Sequence, residues 1–331
     1  MTTPNLFSYA TSELSQDAFI CWLLAWADPA CKQADPALHE CATAFVRALF
    51  AAHGKQAPAI QKVEVKRQDE HIDVLCVVND LYLILIEDKT HTKHHSDQLE
   101  RYHAIVSKRT DSAEFIVPIY FKTHDQSCYA SVLRCGYQVF NRGDFLRVLV
   151  RGAERGVQNA IFLDFLAHLQ RIEIQVNAYA TKVWTANWGR QAWIGLFMKL
   201  QEALGAGKWD YVPNQSGGFM GFWWAGQDGD GCRQHMQLEN QKLCFKIRVD
   251  DLSQRRTLRR QWHQAFTRKA AELGLPALGK PDHFGSGKHM TVLVDPNYLR
   301  FDTEGLVDVP ATVAYLRNVE RVLRTAVVVD E

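Results

Sequence analysis

The chain has no long apolar run, no paired cysteine motif and no strong excess of charge. Across 331 residues, 38 lysines and arginines oppose 37 aspartates and glutamates, which leaves a formal net charge of +1. Attraction for a polyanion would therefore have to come from local patches rather than from the chain as a whole. No apolar segment is long enough to cross a bilayer, so we expect no membrane partner.

The eight cysteines are scattered, and none forms a Cys-x-x-Cys pair. Structural zinc sites usually need closely spaced cysteine and histidine ligands, so a site of that kind is disfavoured. The N-terminal sequence MTTPNLFSYATSELSQD lacks the basic and apolar segments of a secretory signal. Scattered cysteines without a disulfide pattern suit a reducing compartment. Together with the missing secretory signal, they predict a cytoplasmic location.

Several catalytic motifs are missing as well. The chain contains neither Gly-x-Ser-x-Gly nor His-Glu-x-x-His, which argues against a serine hydrolase and a zinc protease. The segment Gly285-Ser286-Gly287-Lys288 lacks the full phosphate-loop spacing because His289 follows the lysine. We interpret it as a turn and expect no nucleotide-driven motor.

Apolar periodicity predicts an α/β organisation for the first half of the chain. The runs at 71–78 and 82–88 are apolar at nearly every position, which predicts strands buried on both faces. The element order α-α-β-β-β-α-β-β-α gives a mixed central sheet flanked by helices. The predicted elements are helices at 11–28 and 37–53, strands at 63–66, 71–78 and 82–88, a helix through 98–102, strands at 114–120 and 136–140, and a helix from about 144.

The second half is predicted to be an α+β domain with an antiparallel sheet. Short strands separated by turn residues lie between long helical patterns. The connection at 175–188 predicts two domains, 1–175 and 176–331, the second an accessory domain for dimerisation or substrate recognition. The predicted elements are helices at 188–204, 253–273 and 310–327, with strands near 211 and at 219–224, 236–239, 243–249 and 290–294.

Chemistry is concentrated in the two apolar strands of the first half. Asp73 lies inside the strand His-Ile-Asp-Val-Leu, and Glu87 and Lys89 end the next strand in Ile-Glu-Asp-Lys-Thr. Charged groups are costly to bury unless they are paired or bind a metal. Three such residues in neighbouring strands therefore indicate a site, although a simple ion pair between Lys89 and Glu87 is the alternative.

The hairpin between the strands must have one particular register for these residues to meet. A two-residue turn at Asn79-Asp80 would pair Asp73 with Ile86 and direct Asp73 away from Glu87. A bulge or a three-residue turn moves the pairing by one residue and sets Asp73 across from Glu87. We expect that shift.

Two carboxylates beside an ammonium suit phosphodiester hydrolysis. Mg²⁺ prefers carboxylate and water oxygens, and Mn²⁺ is its natural substitute. Asp73 and Glu87 are the expected ligands, while Lys89 would orient water or stabilise charge on phosphorus. The side chain of Asp88 should point to the opposite face, so that only its backbone carbonyl could reach the metal.

The spacing of Asp73 and Glu87-x-Lys89 resembles the core of the PD-(D/E)XK nuclease superfamily, with Ile72 in place of the nominal proline. The resemblance covers about residues 10–150 and implies a restriction-endonuclease-like fold, a nuclease activity and a divalent metal. The N-terminal string that includes Asn5-Leu6-Phe7 and Glu13-Leu14-Ser15-Gln16-Asp17 is similar to that of uncharacterised bacterial members.

Two further elements of the resemblance imply site residues. Glu13 stands at the start of the first helix, where many members place a metal-assisting glutamate. Gln98 and Tyr102 are similar to the Gln-x-x-x-Tyr element of RecB-type members and would share one helix face toward the site or a phosphate. The alternatives are a glutamate that favours the helix dipole and a surface helix with a partly buried tyrosine.

Histidines and other basic or aromatic residues allow weaker assignments. A magnesium site favours oxygen over histidine ligands, so His91 is not expected to bind the metal. His91 and Lys93 are instead candidates for contacts with the substrate. The arginine cluster at 255–260 could contact a DNA backbone, or it could form a solvated helix face or a partner interface. The tryptophans of the second half fit core packing or a dimer interface better than base stacking; they are Trp184, Trp188, Trp193, Trp209, Trp223 and Trp224.

The sequence thus predicts a Mg²⁺-dependent nuclease that acts on DNA, with a role in defence against foreign DNA as an analogy to the family. The rival interpretation is an inactive nucleic-acid-binding or regulatory protein on the same fold, and a nuclease that acts on RNA is a third. A homodimer is favoured if one site per chain cuts both strands of a duplex.

Overall fold

The computed structural model describes residues 4–95, 97–183, 188–214 and 217–328. The chain divides into two compact units between Glu173 and Ile174. None of the described helices is long and apolar enough to span a membrane. In the first unit the structure contains α1 Glu13–Ala25, α2 Pro36–Ala52, β1 Val63–Asp69, β2 Ile72–Val78, β3 Tyr82–Lys89, α3 Gln98–Ser107, β4 Ile116–Lys122, α4 Ala130–Arg134, β5 Gln138–Asn141 and α5 Arg142–Glu154. Helix α6 Ala160–Val176 begins in the first unit and ends in the second.

The first unit is built on a five-stranded mixed sheet in the order β1-β2-β3-β4-β5. The first three strands are antiparallel neighbours, whereas β3, β4 and β5 run parallel. Helices α1 and α2 contact one face, and α3 packs its buried side chains against β2, β3 and β4 on the other. All seven residues of β4 are buried, as expected for a strand covered on both faces. The predicted mixed sheet flanked by helices is therefore confirmed.

The hairpin between β2 and β3 has the shifted register that the sequence analysis predicted. Asn79 and Asp80 both have a positive φ, of 56° and 55°, and the amide of Leu81 donates to the carbonyl of Val78 at 3.1 Å. Leu81 is then an extra, exposed residue, so Val78 pairs with Tyr82 and Val74 with Ile86. The same register carries one step further to Asp73 and Glu87.

Helix α1 begins at a residue that matters for the site. Ser12 caps the helix, and its side-chain oxygen accepts a hydrogen bond from the Ser15 amide. Serine is favoured at this position because it satisfies a backbone N–H that has no partner within the helix. The cap fixes Glu13 as the first helical residue.

The second unit pairs an antiparallel sheet with three long helices, and the predicted α+β organisation is confirmed. The strand order is β10-β9-β8-β7-β6. Trp193, Trp209 and Trp224 lie in its core, whereas Trp184 lies outside the described residues. The unit contains α7 Ala178–Thr181, α8 Arg190–Leu204, β6 Lys208–Val212, β7 Phe219–Gly229, β8 Cys232–Glu239, β9 Lys242–Arg248, α9 Arg255–Glu272, β10 His289–Asp295 and α10 Val309–Thr325.

Three helices were not separated by the sequence analysis. Helix α4 is too short to give a clear period, and α6 extends from residue 160 into the segment interpreted as a connection. Helix α7 lies in that segment as well, and residues 184–187 of it are outside the described residues.

The contact of α8 with the end of α6 and with α7 gives a stability prediction. A Cβ added at Gly195 would lie 1.9 Å from the backbone oxygen of Val176 and 2.9 Å from the Tyr179 ring. Gly195→Ala should therefore lower the free energy of unfolding by about 1–3 kcal/mol, despite the higher helix propensity of alanine. Urea unfolding measures the effect, with Gly229→Ala as the control.

Gly229 has no heavy atom within 4 Å of its added Cβ, so the control should stay within about 0.5 kcal/mol of the wild type. Equal stability of all three proteins would mean that α8 does not pack this closely.

Candidate active site

Asp73, Glu87 and Lys89 come together at the end of the β2–β3 hairpin. The Lys89 Nζ lies 2.5 Å from Oε1 of Glu87 and 3.6 Å from Oδ2 of Asp73. The same oxygen of Asp73 accepts a hydrogen bond of 3.0 Å from the backbone amide of Asp88. The ion pair considered as the alternative is present, but it is part of a larger arrangement in which one ammonium faces two carboxylates.

Glu87 is the most deeply buried member of this group. Its side chain has no exposed area, and Oε2 has no hydrogen-bond partner among the described residues. Burial raises the pKa of Glu87 to about 7, and the nearby charge of Asp73 adds to the effect. Burial also raises the pKa of Asp73, although Lys89 and the Asp88 amide oppose the change.

Lys89 stays charged because of its partners. Burial alone would lower the pKa of its ammonium, but the carboxylates of Glu87 and Asp73 outweigh burial and raise the pKa. The ammonium also donates to the backbone carbonyl of Asp88 at 2.9 Å. Three oxygen atoms therefore hold the Lys89 Nζ in one position.

Glu13 reaches the same end of the sheet from the first turn of α1. Its Oε1 accepts hydrogen bonds from the Thr90 amide at 3.0 Å and the Thr92 hydroxyl at 2.7 Å. Burial alone would raise the pKa of Glu13, but the bonds from Thr92 and Thr90 outweigh it and lower the pKa. The negative charge of Glu13 acts on Lys89, Asp73 and Glu87.

Asp88 points to the opposite face of the sheet, where α1 covers it. Its Oδ1 accepts a 2.5 Å hydrogen bond from the Gln16 amide, and Asp17 is its charged neighbour. Burial, followed by the charge of Asp17, raises the pKa of Asp88 well above its usual range. Asp88 contacts the Lys89 cluster through its backbone alone: its carbonyl accepts from Lys89, and its amide donates to Asp73.

The sequence analysis gave no role to Lys122, which lies beside these residues. Lys122 is the parallel-strand partner of Lys89, and its ammonium donates to the carbonyls of Thr90 and Thr92 at 2.5 and 2.6 Å. Burial lowers its pKa to about 8. A lysine that ends the apolar strand β4, as Lys89 ends β3, was the signal that could have revealed it.

The remaining candidates lie in and before α3. The Gln98 amide donates to the Tyr102 hydroxyl at 3.4 Å, so the two residues share a helix face as predicted. Tyr102 is buried in the core that α3 forms with the sheet. His91 and Lys93 are exposed in the segment between β3 and α3, and the His91 ring lies 3.9 Å from that of His124.

The oxygen atoms of this site fit a hard divalent cation. Among the described residues, no group of three or more histidine, cysteine, aspartate or glutamate side chains is arranged to hold a metal ion. Mg²⁺ needs only one or two carboxylates, because it keeps several of its waters. Asp73 and Glu87 supply two carboxylates, and the buried Oε2 of Glu87 still lacks a partner.

Comparison with known proteins agrees with this geometry. Residues 4–134 match the family described as the PD-(D/E)XK nuclease superfamily. The matched segment contains Glu13, Asp73, Glu87 and Lys89, together with the first four strands of the mixed sheet. The comparisons with curated proteins and with solved structures gave no match.

The match supports membership of the first unit in the PD-(D/E)XK nuclease superfamily, and its mixed sheet flanked by helices fits a restriction-endonuclease-like fold. Membership indicates a nuclease with a nucleic-acid substrate. The match ends before the second unit begins, so it carries no information about that unit.

Burial of Glu87 predicts a pH effect on the metal-free protein. Because folding raises the pKa of this carboxyl from about 4.5 to about 7, the folded state holds the proton more tightly. The stability from this group is fully present below pH 4.5 and is lost as the pH rises through 7. Glu87→Gln should remove that loss, so the variant should gain stability relative to the wild type between pH 5 and 8.

Urea unfolding in the presence of a chelator at several pH values measures this difference. Glu154→Gln, which replaces an exposed acid of α5, is the control and should follow the wild type. Parallel curves for Glu87→Gln and the wild type would contradict a buried, readily protonated Glu87.

Proposed function

We propose that the protein is a Mg²⁺-dependent nuclease that hydrolyses phosphodiester bonds in DNA. The observation that carries the proposal is the convergence of Asp73, Glu87 and Lys89 on one point. Burying these three groups together is unfavourable unless it serves a ligand, and perturbed groups of this kind concentrate at functional sites. Membership of a nuclease superfamily supports the same conclusion.

Asp73 and Glu87 would hold the metal, with Glu13 assisting and the Asp88 carbonyl as a further oxygen. When bound, Mg²⁺ or its substitute Mn²⁺ supplies polarisation of the phosphoryl group and a more acidic water. The threonines at positions 90 and 92 keep Glu13 oriented through their hydrogen bonds. Charge repulsion between Asp73 and Glu87, which raises the pKa of Glu87, favours a cation between them.

Lys89 would stabilise negative charge that develops on the phosphate. Its raised pKa keeps the ammonium protonated, and its three oxygen contacts fix the position of the charge in advance. Fixed donors of this kind act without reorganisation during the reaction. Gln98 would position substrate or water, Tyr102 would support Gln98, and His91 and Lys93 would contact the nucleic acid.

The proposal has three further parts: a preference for DNA over RNA, a role in defence against foreign DNA and a cytoplasmic location. They depend on analogy with the superfamily rather than on a contact in this chain. A homodimer is expected if the enzyme cuts both strands of a duplex with one site per chain.

Cleavage assays test the proposal with single-stranded DNA, duplex DNA and RNA in Mg²⁺, Mn²⁺ or a chelator. We expect metal-dependent cleavage of DNA, and a loss of about 10²–10³-fold or more in Asp73→Asn and Lys89→Ala. Asp80→Asn is the matched control, because it removes an exposed acid from the turn of the same hairpin.

Equal residual cleavage by the wild type and both site variants would identify a contaminant. An absence of cleavage with intact nucleic-acid binding would favour the inactive binding protein. Cleavage confined to RNA would replace DNA as the substrate.

Metal binding can be measured without activity. A ligand that binds the folded state raises the thermal midpoint, so Mg²⁺ or Mn²⁺ at about 100 times its dissociation constant should stabilise the wild type by about 2.7 kcal/mol. Asp73→Asn and Glu87→Gln should lose most of this gain, whereas Asp80→Asn should keep it. A shift of the same size in all four proteins would exclude these carboxylates as ligands.

A further inference from the structure

The sheet of the second unit has two different faces. The residues of β7, β8 and β9 that point to the helices are buried and mostly apolar, and they include Phe222, Met236 and Phe245. Most of the alternate residues of β8 and β9 are charged or polar and at least partly exposed, although Cys244 is buried. We refer to this second surface as the polar face.

A groove of about 550 Å³ lies on the polar face. No acidic residue is among the described residues that line it. A groove with this lining attracts an anion, because its walls contribute charge of one sign. The lining includes Lys208, Trp223, Arg233, His235, Arg248 and His289.

The strand register places basic residues directly opposite each other. Arg233 pairs with Arg248, and Arg248 pairs with His289 on its other side. One row further along, His235 pairs with Lys246. Of these pairs, Arg233 and Arg248 carry like charges, which destabilise a sheet in directly opposed positions, so a bound anion would be favourable beside them.

Nearby acids offset part of this charge, and Asp228 is the direct strand partner of Arg233 on the side away from Arg248. Arg248 lies 3.3 Å from Asp250, which also pairs with Lys288. Lys246 lies 2.5 Å from Glu239, outside the groove. The Nε of Arg248 is nevertheless buried without a hydrogen-bond partner among the described residues.

Burial, more than the neighbouring cations, favours the neutral form of both histidines. Burial lowers the pKa of His235 to about 4, and Lys246, His289 and Arg233 lower it further. Burial lowers the pKa of His289 as well, and the charges of Arg248 and two lysines lower it further.

Trp223 adds an aromatic surface to the cations. It is the partly exposed tryptophan of β7, with Lys208 opposite it on one neighbouring strand and Gln237 on the other. A basic groove with an aromatic side chain is the arrangement by which proteins bind single-stranded nucleic acid, because the cations follow phosphates while bases stack.

We propose that the polar face binds a single-stranded segment of nucleic acid, with phosphates at Arg233, Arg248 and His289 and a base against Trp223. The identity of that strand as the substrate rests on the proposed nuclease function, whereas binding itself does not. The second unit would thereby hold the strand that the first unit cleaves.

Fluorescence anisotropy with a labelled oligonucleotide tests this proposal in the full chain. The parent protein is Asp73→Asn in a chelator, so that binding is separated from cleavage. Adding Arg233→Gln and Arg248→Gln should weaken binding about tenfold or more. The slope of log K against log salt should also fall by about 0.7 for each phosphate that the two arginines no longer neutralise.

The matched control removes two arginines of α9, which packs on the other face of the sheet. Arg256→Gln with Arg260→Gln changes the net charge equally, and both side chains are exposed. This control should bind like the parent. An equal loss in both double variants would indicate general charge attraction and overturn the proposal, as would unchanged binding in the Arg233 and Arg248 variant.

Two further variants separate the parts of the proposal. Arg233→Lys with Arg248→Lys keeps the charges and should restore the salt slope, which a folding defect would not allow. Trp223→Leu should weaken single-stranded binding about fivefold or more, with no effect on duplex binding. No loss with the single strand would overturn the assignment of Trp223. If the wild type cleaves nucleic acid but the substitutions on the polar face leave binding unchanged, the binding proposal fails and the nuclease proposal stands.

Discussion

A one-residue shift in the β2–β3 hairpin is the constraint on which the candidate site depends. Side chains alternate between the two faces of a strand, so a slip of one residue would send Asp73 to the side of Asp88 and away from Glu87. The extra residue Leu81 produces the required register because it lies outside the paired strands. Leu81 is exposed there and does not have to fit into the core. Because β2 and β3 are buried on both faces, the register is held by hydrophobic packing as well as by hydrogen bonds.

This register brings the charged groups of Asp73, Glu87 and Lys89 together in a buried part of the unit, where little water can solvate them. Lys89 balances part of the charge of Asp73 and Glu87, whereas burial, followed by the charge of Asp73, raises the pKa of Glu87. Helix α1 contributes to both sides of the sheet: Glu13 reaches the Lys89 side, and Gln16 binds Asp88 on the other. A divalent cation bound there would relieve repulsion between the carboxylates, and its binding would then be linked to the folding stability of the first unit.

The two faces of the sheet in the second unit differ in the tryptophans that they contain. Most of its tryptophans are used to build the core, as the sequence analysis expected. Trp223 differs because it occupies the opposite phase of β7, next to cations brought from β6, β8 and β9. The arginines of α9, which look like the most basic feature of the sequence, are separated from that surface by the sheet and the core.

The sequence by itself determined most of the fold and the chemical identity of the candidate site. Double-faced apolar strands, the Asn79-Asp80 turn and the Asp73, Glu87 and Lys89 spacing depend on local periodicity, which a sequence records directly. It did not reveal Lys122 or the pairing of Arg233 with Arg248, because these contacts join strands whose register only packing decides. Burial, and with it the raised pKa of Glu87, also arises only when distant helices cover the sheet and exclude water.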